Sequence, residues 1–182
     1  MKKWKKSIAA VLMTLTMSAM ATPQAMAASA PPADTNAAMI QLRMADTGPD
    51  FSKGILVDEF WGFEDDGTPY VERTYISVKN SISRSPMTKE FTKTKDYGAT
   101  GSVEVTGEFE YDSSAKTVYV LSSSGEFHEG GGVSEYEDLG TSTSGEGSTQ
   151  ATVKYRCRVN KNLGGWSTYS VSVSCNYSGN PS

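Results

Sequence analysis

Along the second half of this chain apolar and polar side chains alternate one for one, a period that only extended backbone can use. Val103, Val105, Phe109 and Tyr111 share one face, and Glu104, Thr106, Glu108 and Glu110 share the other. After a turn over 112–116, one antiparallel register pairs Tyr111 with Val118, Phe109 with Val120 and Gly107 with Ser122. That register brings both apolar faces to the same side. The pattern returns near the C-terminus. Val153, Tyr155, Cys157 and Val159 oppose Lys154, Arg156 and Arg158; Tyr169, Val171, Val173, Cys175 and Tyr177 oppose Ser170, Ser172 and Ser174.

The remaining segments are read around these two pairs. Residues 55–63 are apolar with few breaks, which predicts a strand buried on both faces. Asp66-Gly67 inside 64–69 supplies a turn, and 70–78 completes a first hairpin. The stretch 80–100 is polar, with a turn at Ser85-Pro86 and a short strand around Phe91. Residues 122–149 read as a loop, rich in Gly, Ser and acids, with an edge strand at 133–139. The sum is an all-β chain: a single antiparallel β-sandwich, or small barrel, of about six to eight strands. Its expected organisation is a signal peptide over 1–27, a flexible linker with one short helix over 28–50, and a β-sandwich domain with one disulfide over 51–182.

The N-terminus predicts the compartment. Lys2, Lys3, Lys5 and Lys6 precede an uncharged apolar run from Ile8 to Met20, and Ala25-Met26-Ala27 is a small-x-small cleavage site. This order is that of a secretory signal peptide cut before Ala28. The apolar run falls short of the ~20 residues a membrane-crossing helix needs. Residues 176–182 are polar and offer no anchor, so the expectation is a secreted, extracellular protein with no stable membrane anchor. The whole chain carries 17 basic and 21 acidic side chains, net −4; without the four signal lysines the net charge is −8. An acidic surface excludes the Lys/Arg-driven counterion release that nucleic-acid binding depends on.

Cys157 and Cys175 are the two cysteines, both on apolar strand faces, and in an oxidising compartment they predict a disulfide. Geometry restricts how. A tight hairpin at Leu163-Gly164 would set Cys157 opposite about Ser170, leaving the two cysteines on the order of 17 Å out of register. Disulfides need Cα atoms within about 7 Å. Either the loop is wide and the register shifted, or the strands lie on facing sheets and the bond crosses the core.

Reactive chemistry is sparse. His128 is the single histidine, and Gly132 stands where a second histidine of a His-Glu-x-x-His zinc motif would fall. No glycine-rich phosphate loop occurs, and no cofactor is implied. Asp65-Asp66-Gly67 resembles part of a calcium loop, but counting back from Gly67 puts Gly62 at the first ligand position. Glu126, Glu129, Glu135, Glu137 and Asp138 form the candidate acidic loop for a weak calcium site, calcium requiring only oxygen ligands. Glu108 and Glu110, about 7 Å apart on one strand face, are the nearest approach to a glycosidase carboxylate pair. Trp166, after Gly164-Gly165, is the candidate stacking platform for a sugar ring. The expectation is a secreted non-catalytic β-sandwich binding an extracellular glycan or protein. A small carbohydrate hydrolase using paired carboxylates and a secreted toxin or antimicrobial protein are the alternatives.

Overall fold

Alternation in the sequence becomes two facing antiparallel sheets. The structure, a computed structural model, describes residues 35–77, 86–162 and 164–182; the signal-peptide stretch 1–27, the linker residues 28–34 and the turn residue Ser85 lie outside them. Helix α1 (Thr35–Ala45) precedes eight strands. They are β1 (Ile55–Phe63), β2 (Pro69–Ser77), β3 (Met87–Asp96), β4 (Gly101–Asp112), β5 (Thr117–Glu129), β6 (Val133–Ser144), β7 (Gln150–Lys161) and β8 (Gly165–Asn176). The first five form one sheet in chain order and the last three form the other, so every neighbour in each sheet is a neighbour in sequence.

The core lies where the short sheet covers the long one. Val103, Val105, Phe109 and Tyr111 of β4 meet Val153, Tyr155, Cys157 and Val159 of β7 and Tyr169, Val171, Val173 and Cys175 of β8, all buried. Each such side chain contributes ~1.5–3 kcal/mol by leaving water. β8 packs over β3 and β4, β7 over β4 and β5, and β6 over β5. β1 and β2 therefore project past the three-stranded sheet.

That overhang corrects the reading of 55–63. β1 is an edge strand, not a doubly buried one: Ile55 is 66% and Phe60 54% exposed, because no strand of the second sheet reaches them. β3 is also longer than the short strand expected around Phe91. Thr92 and Lys95 are buried on its two opposite faces, so polar side chains hold buried positions that hydropathy cannot detect. In the β4–β5 pair Tyr111 faces Val118 and Phe109 faces Val120, as the alternation requires. A bulge at Glu108/Phe109 then moves Gly107 opposite Ser123 rather than Ser122. The supposed loop over 122–149 is mostly strand: β5 continues to Glu129, the chain turns at Gly130–Gly132, and β6 runs to Ser144. Both are edge strands, so their Ser, Thr and Glu side chains face water without cost.

The expected disulfide is corrected too. Cys157 pairs with Tyr169 and Cys175 with Ala151, and both cysteines are free buried thiols. The pairing of Lys161 with Gly165 belongs to this register, and six residues of β7 separate the positions facing the two cysteines, about 20 Å of strand.

Upstream of β1 the chain is laid across the outer face of the five-stranded sheet. Leu42 of α1 is buried, and Arg43 stacks 5.1 Å from the Trp61 ring centroid. Asp46 receives both terminal nitrogens of Arg73, at 2.9 and 2.6 Å, while Arg73 Nε donates to Glu59 at 2.8 Å. The Asp50 amide donates to the Tyr75 hydroxyl, and Lys53 is ion-paired with Glu104. Burial opposes the Arg73 charge, but its two carboxylates more than compensate and its pKa lies above the ordinary value.

Candidate functional site: the free edge of β8

Two open sheets have four edge strands, and any exposed edge is a template for another strand. Three of these edges carry both a register break and acidic side chains. β1 is bulged at Leu56/Asp58, β5 is bulged against β4, and β6 is bulged twice, at Val133/Glu135 and Asp138/Gly140. Asp58 and Glu59 charge β1; Glu126 and Glu129 charge β5; Glu135, Glu137 and Asp138 charge β6. β8 has neither device. Its twelve residues, Gly165–Asn176, contain no charged side chain and pair with β7 without a break.

The chain itself shows which backbone groups of β8 point outward. Pro181 forms an antiparallel bridge with Cys175; the Ser182 amide donates to the Ser174 carbonyl at 3.3 Å, and the Asn176 amide to the Asn180 carbonyl at 3.0 Å. Ser174 thus faces the free side, and by the two-residue period so do the N–H and C=O groups of Ser172, Ser170 and Thr168. Among the described residues these groups have no backbone partner. The C-terminal residues occupy one end of the edge and leave the rest open.

Below that edge runs the overhang of β1 and β2. Its floor mixes apolar side chains, Phe60 lying 6.2 Å from Tyr70, with mutually neutralised charges: Lys93 donates to Glu72 at 3.1 Å, Lys95 pairs with Glu64 at 2.7 Å, and Lys161 at the end of β7 lies 3.5 Å from Asp66. Lys95 also sits 3.7 Å from the centroid of Tyr70, and Tyr97, stacked 4.2 Å from Tyr169, donates to Glu64 at 2.7 Å. Burial, then that hydrogen bond, pushes the Tyr97 hydroxyl far above its usual range. Burial pushes Asp66 up as well, yet hydrogen bonds from Thr68 and the charge of Lys161 hold it below the usual carboxylate range. Cavities mark the two ends of the groove. One, about 290 Å³, is lined by Glu64, Asp65, Asp66, Ser167, Thr168 and Tyr169; the other, about 210 Å³, by Val57, Asp58, Thr74, Lys93, Val173 and the C-terminal Pro181 and Ser182.

The residues singled out from sequence do not assemble elsewhere. Trp166 is 44% exposed on the outer face of the three-stranded sheet, and the Arg158 guanidinium lies 5.0 Å from its centroid, so one ring face is already taken. Glu126 and Glu129 lie on β5, and Glu135, Glu137 and Asp138 on β6, where successive side chains alternate between faces. Glu137 pairs with Arg158 at 3.2 Å, and Asp138 accepts the Gly140 amide. Among the described residues no three metal-ligating side chains come together. Glu108 and Glu110 project side by side from β4, opposite Ser122 and Tyr119 of β5. A glycosidase pair must instead approach the scissile bond from two sides. His128 lies 3.8 Å from Glu104 and 4.0 Å from Glu126 on the same open face.

Sequence reasoning found β8 but not its free edge. A charge-free strand in an acidic chain was the available signal; that no other strand of the described residues lies beside it could not be read locally. In comparisons with known proteins the chain matches no family model, no curated protein and no solved structure.

Proposed function

We propose that this protein is exported and acts outside the cell as a non-catalytic β-sandwich that binds a polypeptide by strand addition along β8. The observation that carries the reading is the unbulged, uncharged edge of β8 above an open overhang, in a molecule whose other three edges are bulged and charged. A polypeptide supplies what this edge lacks, a ladder of amide donors and carbonyl acceptors. A glycan cannot repeat at the strand period. The N-terminal sequence pattern supports export, and the net negative charge supports a partner other than nucleic acid.

Amide-resolved NMR of the isotopically labelled chain tests this against extended peptides and soluble oligosaccharides. Peptides should shift the amides of Thr168, Ser170 and Ser172 and slow their exchange with solvent. The same peptides N-methylated at alternate residues, which lose their edge-facing donors, should leave these amides unchanged. Oligosaccharides shifting the Trp166 indole while peptides leave β8 untouched would overturn the reading in favour of a glycan ligand.

A further inference from the structure

We infer that the occupant of the β8 groove is a single extended basic segment, running antiparallel to β8 with Lys or Arg side chains about six residues apart. The inference rests on the strand-addition reading and names the partner's chemistry. Three observations carry it: the room, the direction and the charge.

The overhang decides how much can fit. β1 and β2 extend two strand spacings beyond the strands β8 covers, on the order of 10 Å. One strand can lie there beside β8. A second copy pairing β8 to β8 cannot, because its own five-stranded sheet would have to occupy the volume that β1 and β2 already fill. The occupant is therefore an unfolded or extended segment rather than the edge of another sandwich.

Pro181 and Ser182 show the direction. They lie antiparallel to Cys175 and Ser174, and a strand continuing their path faces the eight residues from Val173 back to Trp166. Charge then selects its side chains. Each floor lysine is held by a carboxylate of its own, but Asp58 in one end cavity and Asp65 in the other have no ion-pair partner among the described residues. On β8 the residues lining the two cavities, Val173 and Ser167, are six apart, about 20 Å of extended chain. Six is an even number, so two side chains at that spacing share one face and can both point down.

The test uses fluorescently labelled ten-residue Val/Thr peptides with Lys at positions 2 and 8, against the same peptides with Glu there, titrated with the full chain. The Lys peptide should bind about tenfold more tightly or better, the difference shrinking as salt rises. Asp58→Asn with Asp65→Asn should abolish the preference without abolishing binding. Equal binding of Lys and Glu peptides, both lost on backbone N-methylation, would overturn the basic occupant and leave strand addition standing. Binding of either peptide that N-methylation does not weaken would overturn strand addition itself. N-methylation changes only the peptide, so the protein's folding does not enter the result.

Discussion

Replacing Gly125 by alanine should press the two sheets apart. Gly125 lies opposite Val105 on the core side of β5, and the Tyr155 side chain of β7 lies against its backbone. A Cβ built there would stand 2.4 Å from Tyr155 Cδ2 and Cγ and 2.6 Å from its Cβ. Apolar contact becomes favourable near 3.5 Å, so on the order of 1 Å of separation is required. Rotating the ring cannot supply it, because the Tyr155 Cβ is fixed to β7. Overpacking of this kind costs about 1–3 kcal/mol, which for a domain of this size lowers Tm by roughly 2–12 °C. The sign is diagnostic. Gly125 does not occupy a positive-φ conformation, so in open space alanine would raise stability by limiting the unfolded chain. Urea and thermal unfolding of Gly125→Ala, alone and with Tyr155→Ala, measures the effect. The cost should fall once the ring is removed. A Gly125→Ala protein as stable as the parent, or effects additive within about 0.5 kcal/mol, would refute this packing.

Two further expectations concern buried titratable groups. Burial pushes Cys157 up to about 12 and Cys175 up to about 11, so iodoacetamide at neutral pH should leave both thiols unmodified in the folded protein and alkylate two in denaturant; no alkylation in denaturant would mean a disulfide. Asp96 is raised above 3.8, chiefly by burial, so its folded-state penalty is absent at low pH and appears as pH rises through its shifted value. Asp96→Asn keeps an oxygen for the Gly98 amide and should raise Tm at pH 7 but not below about pH 3. An equal gain at both pH values would show that the charge is not the cause.

The split between what was legible and what was not follows the range of the interactions. The faces of β4, β7 and β8 could be read because a two-residue period is written along each strand, and the β4–β5 register because only one alignment buries both apolar faces. The end of that register could not, since the Glu108/Phe109 bulge shifts it by one residue. An edge strand could be read at 133–139, but the continuation of β6 to Ser144 was hidden because an exposed edge needs no apolar face, and its Gly, Ser and Thr content matches that of a loop. The acidic residues grouped in sequence separated for the same reason: neighbouring strand positions point to opposite sides.

By itself the sequence determined that the chain is all-β, which residues of its regular strands turn inward, and that the chain lacks the histidine and cysteine sets of common metal and nucleophile sites. These depend on periodicity and composition, properties of a segment and its near neighbours. Tertiary structure alone decided that the sheets are unequal, that β1 and β2 overhang, that the cysteines sit about 20 Å apart, and that β8 keeps a free edge above a groove. Each of these depends on which strand lies beside or across from which. That assignment comes from packing the whole set of faces together, and no single segment carries it.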